Sequence, residues 1–414
     1  MILIAALAVR LAFLWQYVDS HPVRALATIP FLFEPGNIAY SLVNGNGFSS
    51  PFRVDTGPTA WMTPVWPLLL ALVFKTFGTY TIQAFLATAG LNVLFSAATC
   101  IPLYAATRRI AGRAAAATAA WLWAGFPTAI ILPYESLWDA SLSALLITTL
   151  LWATLVVSES ELLSFWARYG LLWGFALMTN PALTALLPFL LGWAEYRGWR
   201  PARHRARNTL LASGMVLICC VPWTVRNYRV FGAFVPLRSV AGLALWLGNN
   251  EHGDGLSARQ HPITNQSERE RYAELGEIAY MREKQNAAVS YILEHPGRVA
   301  GWAAVRFTAI WTGGSGHLTE DFRRAKTVRF YLVVGSDVLA AFGSLLGLFF
   351  LARNRDVHLI PLAAFPLVFP LVYYFALAPP RYRHPIDPVL LLLTAIAFVR
   401  LAHLRKGPIV RLSP

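Results

Sequence analysis

Residues 33–67 read FEPGNIAYSLVNGNGFSSPFRVDTGPTAWMTPVWP. One apolar run precedes this stretch and a long series of others follows it. It is the first place where the chain leaves hydrocarbon. It is rich in Gly, Pro and aromatic residues, and it carries Glu34, Asp55 and Arg53. A segment of this kind lies at the mouth of a membrane bundle, and the runs around it decide the fold.

The 414 residues are 56% hydrophobic and 14% charged, against about 25% charged in a soluble domain. Several runs match the roughly 20 residues that cross a bilayer as helix. They are continuous, unlike the alternating strands of about ten residues in a closed barrel. The chain is therefore expected to be an all-α polytopic membrane protein. About ten spans are expected, near 1–18, 80–106, 114–132, 137–157, 166–179, 181–196, 208–224, 328–352, 357–377 and 386–403. Val65–Gly78 is apolar but short and reads as a surface-lying helix, as does the Arg-interrupted run 298–312. The first run lacks a basic flank and a small-residue cleavage site, so it reads as a retained span.

Three parts follow from this pattern. They are an N-terminal transmembrane module 1–224 with a first outer loop 19–64, a mainly helical insert 225–327, and C-terminal spans with a basic tail, 328–414. Within the insert, Ser267–His295 has interleaved charges at helical spacing and reads as one solvated helix. The basic loops 108–113, 197–207 and 353–355 and the tail fall on one side, which the positive-inside rule makes cytoplasmic. The first loop, the insert and residues 378–385 then face outward, as expected of a multi-pass inner-membrane protein with a periplasmic site. The net charge of +14 is explained by this asymmetry rather than by nucleic acid. RYRHP, at 381–385, puts cations on the outward side against the rule, which suggests another use for them.

Four outward features carry candidate chemistry. Glu34 leaves the first span as a potential general base, with Asp55 the competing acid in a turn-like VDTG context. PYESLWD, at 133–139, holds Glu135, which can assist Glu34, and Asp139, which reads as a helix-capping acid. Arg226 and Asn227 in PWTVRNYRVFG, and Arg381, Arg383 and His384 in RYRHP, would suit a lipid-linked phosphate. The planar guanidinium fork donates two bonds at once. Lipid-headgroup anchoring suits either arginine site alone about as well, and the misplaced charge of RYRHP weakens that reading for the second. Trp61 suits either the aromatic belt, the plainer reading, or a sugar face. The histidines show no metal spacing, and P-loop and GxSxG motifs are absent from the sequence.

The order of these features resembles the membrane-embedded GT-C glycosyltransferases, nearest to bacterial members related to protein O-mannosyltransferases and lipid A aminoarabinose transferases. The residues that carry the resemblance are Glu34, Asn37 to Tyr40, Gly45-Asn46-Gly47-Phe48, Pro64 to Ala71, Pro133 to Glu135, Pro222 to Asn227, Gly248-Asn249-Asn250 and Arg381 to Pro388. The order holds over most of the chain, though each motif alone is weak. The resemblance implies an inverting transfer of a sugar from a polyprenyl-phosphate donor to a lipid, glycan or protein acceptor outside the cytoplasm. It implies a catalytic base at Glu34, where many members have Asp, with Asn249 among the substrate-binding residues. No cofactor is implied, and a divalent metal is left open. The alternatives are a flippase for lipid-linked saccharides, which should show paired halves and mid-span charges, and a non-catalytic assembly subunit.

Overall fold

The computed structural model describes residues 1–52, 54–197, 201–256, 258–314, 327–377 and 379–405. Arg53, the end of the insert at 315–326 and the tail from 406 lie outside the described residues. The regular secondary structure of the described residues is helical, with one isolated bridge, Ser49 to Pro58. Among them, six runs are long and apolar enough to cross a membrane: Ile2–Asp19, Ile82–Ala124, Ala140–Ser158, His204–Phe231, Val328–Arg353 and His384–Leu404. Ile82–Ala124 covers two of the expected spans, because Gly112 interrupts it at φ 81°. The expected spans 166–179, 181–196 and 357–377 fall on shorter or broken helices: Leu163–Thr179, Leu187–Arg197 after a 3₁₀ turn, and Leu359–Leu367 with Leu371–Phe375.

Small residues set the closest crossings. In the helix Val328–Arg353, Gly343 and Gly347 face the helix Asp387–Arg405. A Cβ on Gly347 would lie 2.2 Å from the Leu393 carbonyl oxygen. Gly170 and Gly174 of Leu163–Thr179 face Ala202–Phe231 in the same way, with the Ala212 oxygen 2.3 Å from a Cβ on Gly170. Glycines four apart let two backbones touch where apolar burial gives no preference over lipid. Arg10 is buried in the first span. It donates to the carbonyls of Trp123 (3.0 Å) and Ala124 (3.1 Å), the last residues of Cys100–Ala124, and to Ser96 Oγ. The guanidinium thereby satisfies carbonyls that a helix end leaves unpaired.

The outer layer has its own core. Ile38, Phe52, Trp61 and Met62 from the first loop pack with Leu243, Leu247, Tyr272, Tyr280 and Met281 from the insert. The insert is helical at Ala241–Gly248, Gln266–Leu275, Glu277–Glu294 and Pro296–Thr312. The single helix expected over Ser267–His295 is broken at Gly276, whose φ of 75° and ψ of 162° are not helical. The break aims Glu277 inward. Its carboxylate accepts from the Ala60 amide (2.7 Å), Thr59 Oγ1 and the Tyr272 hydroxyl (2.6 Å). From the other side, Arg226 donates to the carbonyls of Thr59 (2.7 Å) and Phe48 (2.9 Å). The hairpin-like loop after Gly45 is thus held by an acid and a cation from distant parts of the chain. Arg306 joins the insert to the C-terminal helices through the carbonyls of Gly248 (2.6 Å) and Tyr374 (2.8 Å). The helix Pro296–Thr312, expected to lie at the interface, therefore buries that arginine.

Gly347→Ala is expected to destabilise the fold by about 1–3 kcal/mol through overpacking, read as a lower thermal midpoint in detergent; an unchanged midpoint would contradict the crossing. Arg226→Ala is expected to make residues 45–64 sensitive to limited proteolysis. Arg226→Lys should not restore protection, because one ammonium lacks the fork that spans two carbonyls.

Candidate active site

Glu34 begins the helix Glu34–Val43. Phe33 is extended before it (φ −93°, ψ 172°), and Pro35 follows in the first turn. Proline is pre-organised there and its missing amide costs nothing. Gly36 lets the helix start against the preceding turn, since a Cβ would lie 2.1 Å from the Phe31 oxygen. The Glu34 side chain is only 5% exposed, and its Oε1 lies 3.2 Å from His261 Nε2. The imidazole sits edge-on to Trp61 (5.5 Å between centroids) and Phe52 (6.4 Å). Burial pushes the His261 pKa below its ordinary value; Glu34 opposes this and Arg381 adds to it. Asp55, the competing acid, is exposed and accepts from Ser50 Oγ (3.0 Å) and the Gly57 amide (3.1 Å). Those are the bonds of a turn residue.

Of two neighbouring cavities, the second is lined by Phe33, next to Glu34; neither Glu34 nor His261 itself lines either one. The first is lined by Asp139, Asn180, Arg238, Tyr373 and Arg381. The second, about 300 Å³, is lined by Phe33, Glu135 and again Arg381. Trp138 belongs to both walls, with the Arg381 guanidinium 4.7 Å above its ring. Phe33 lies 6.5 Å from Trp138, so the residue preceding Glu34 is part of the same wall. Arg381 thus stands between the cavities, and its charge reaches both Asp139 and His261.

Asp139 occupies the N-cap position of Ala140–Ser158 but makes no side-chain bond to the helix amides. It accepts instead from Ser143 Oγ (2.9 Å), which in turn accepts from Asn180 Nδ2 (3.2 Å). The capping role expected from the sequence is replaced by a place in the cavity wall. Glu135 is exposed and ion-paired with Arg329.

The other expected site residues are placed differently. Arg383 is buried, with its Nε 2.7 Å from Asp387, its Nη2 on Asp337, and its Nη1 on the carbonyls of Ile310 (3.1 Å) and Trp311 (3.2 Å). His384 is fully buried against Trp123, with Nδ1 3.3 Å from Asp387. Neither lines the cavities. Arg383 is held by the buried Asp337 and Asp387 and His384 lies against Asp387, so Arg381 alone of the three residues lines the cavities. Arg226 is committed to carbonyls, and Asn227 donates to Val235 O (3.0 Å). Asn249 is buried, donating to Phe375 O (2.7 Å) and accepting from Arg306 (3.2 Å). Trp61 is 4% exposed in the outer core, so it is neither a belt residue nor an open sugar platform. Asp139, Asn180, Arg238 and His261 were not among the expected site residues. Only Asp139 carried a sequence signal, as an acid in the same turn as Glu135.

No family model and no curated protein matches this chain. Among solved structures, the chain is similar to the oligosaccharyltransferase of Archaeoglobus fulgidus. The apo form aligns with a TM-score of 0.57 at 12% identity, over 98% of this chain and 51% of that one. The complex with an inhibitory peptide and a dolichol-phosphate aligns with a TM-score of 0.59 at 13% identity, again over 98% and 51%. A form tethered to an acceptor peptide aligns with a TM-score of 0.51 at 13% identity, over 91% and 46%. The chain spans about half the length of these structures. It is a multi-pass helical membrane protein with the GT-C fold of the archaeal oligosaccharyltransferase.

Proposed function

We propose that this chain is a glycosyltransferase that moves a sugar from a polyprenyl-phosphate-linked donor to an acceptor hydroxyl on the extracytoplasmic face of the membrane. The observation that carries the proposal is the buried Glu34 carboxylate, whose neighbour Phe33 lines a cavity that shares Arg381 with a second one lined by Arg238, in a fold shared with an oligosaccharyltransferase. That neighbour was solved with a dolichol-phosphate and an inhibitory peptide, and again tethered to an acceptor peptide. Both favour a lipid-linked donor and an acceptor meeting in one outward cleft.

In this reading the donor phosphate lies in the polar cavity against Arg381 and Arg238, and its lipid tail runs into the bilayer. The acceptor hydroxyl approaches from the side of Phe33 and Glu34. Glu34 removes its proton as the oxygen attacks the anomeric carbon. The bond from that carbon to the phosphate oxygen breaks, and the electron pair leaves with the polyprenyl phosphate. The two guanidinium groups stabilise the charge growing there. A single displacement inverts the anomeric centre. Asp139, bridged to Asn180 through Ser143, suits a hydroxyl of the donor sugar. Another solved form of the neighbour is a complex with Zn and sulfate. Among the described residues no group of three or more His, Cys, Asp or Glu side chains gathers to hold an ion, so no step is routed through a metal here.

Glu34→Gln is expected to cut transfer by about 10²–10⁴-fold, while mass spectrometry still finds polyprenyl-linked sugar on the purified protein. Wild-type turnover in that variant would overturn the base assignment. Arg381→Ala and Arg383→Ala should separate in kind. The first is expected to lose bound donor with an unchanged thermal midpoint. The second should lose about 3–5 kcal/mol of stability, because it strands two buried carboxylates. Equal loss of donor by two well-folded variants would contradict the assignment of Arg381 alone to the phosphate.

A further inference from the structure

From the contacts around its ring we infer that His261 is the positioning residue of Glu34, a neutral Nε2–H donor supplied by the insert whose tautomer is set by the amide of Ile263. The inference rests on the reading of Glu34 as the base. Its first support is the hydrogen-bond direction at the far side of the ring. The Ile263 N–H donates to His261 Nδ1 at 3.2 Å. A donor at that distance requires a lone pair on Nδ1, so the one proton of the neutral ring sits on Nε2. Nε2 is the atom 3.2 Å from Glu34 Oε1. The protonated ring nitrogen therefore faces the carboxylate at contact distance, on a ring that is itself held by backbone.

Three consequences follow from this arrangement. A second proton would have to enter on Nδ1, facing the Ile263 N–H, and would break that bond. The ring is also walled by Phe52 and Trp61, which offer no acceptor for a charged imidazolium. The charged groups acting on it are Glu34, from the helix Glu34–Val43, and Arg381, from the 379–386 turn. Geometry and surroundings thus agree with the depressed pKa of the ring. Because Nε2 already carries a proton, His261 does not take one from Glu34, and the proton gained from the acceptor leaves by another route. What His261 does is hold one carboxylate oxygen. The glutamate side chain has several rotatable bonds, and the contact with the ring limits that freedom. The insert thereby completes the base, which ties its seating on the first loop to turnover.

The test uses the full-length purified protein, an undecaprenyl-phosphate-linked hexose as donor, and four variants: His261→Leu, His261→Gln, Glu34→Gln and the double variant His261→Leu with Glu34→Gln. Leu and Gln fill similar space, but only Gln can donate from a terminal amide. His261→Leu is expected to lower kcat about 10²-fold, the scale of a small misplacement of a catalytic group, with little change in donor KM. His261→Gln should recover most of that loss. The double variant should be no slower than Glu34→Gln alone, because a residue acting through Glu34 has nothing left to position. A folded His261→Gln as slow as His261→Leu would overturn the donor role. So would wild-type kcat in His261→Leu while Glu34→Gln is inactive, a result that leaves the base reading standing. Wild-type turnover in Glu34→Gln would instead remove the base reading and this inference together. If His261→Leu does not fold, the His261→Gln rate relative to wild type decides: near-wild-type kcat supports the donor role, and a 10²-fold loss overturns it.

Discussion

Arg383 lies between Asp337 and Asp387 with almost no exposed surface, and the turn that carries Arg381 is anchored by that contact. Burying three charged groups costs several kcal/mol each unless every donor and lone pair is engaged. Here the guanidinium meets that condition with two carboxylates and the last carbonyls of Pro296–Thr312. It therefore joins Val328–Arg353, Asp387–Arg405 and the end of the insert at one point. The short turn carrying it is pinned as a consequence. Two residues earlier, Arg381 is left stacked on Trp138 in the wall of both cavities.

The same economy governs the first outer loop. A loop rich in Gly and Pro has much conformational entropy to lose on ordering, and its own side chains bury too little to offset that. Glu277 and Arg226 supply the missing fixation from opposite sides, and a shared aromatic core closes over it. The result is that the Glu34 carboxylate and the His261 imidazole occupy one buried position, and in the proposed reading the site is preformed. Groups held in place before substrate arrives need no reorganisation as charge develops, which is where electrostatic catalysis gains most.

Charged residues near the mouth separate into two groups by what surrounds them. Arg383, Arg226 and Arg306 are enclosed by carbonyls and carboxylates of the chain itself. Arg381 and Arg238 line a small cavity of about 70 Å³. Residue type is the same for both groups, and for that reason RYRHP and PWTVRNYRVFG looked alike as phosphate sites. The acid that separated them, Asp337, lies far from 383 in sequence within a span, where a carboxylate gave no pattern to read. His261 was hidden for a related reason. A lone histidine in a polar insert has no periodic partner, and its meeting with Glu34 is made only when the insert packs onto the first loop.

Hydrophobic run length and the order of weak motifs were enough to read a helical membrane chain and its GT-C architecture. Those features are local or additive along the chain, because crossing a bilayer demands about 20 apolar residues wherever they occur. Which arginine faces the cavity, which acid caps a helix and which lines a wall, and what stands beside Glu34 were decided by tertiary packing. Each of those outcomes depends on burial and on hydrogen-bond partners drawn from distant segments, and a partner's geometry is not encoded at the residue that needs it.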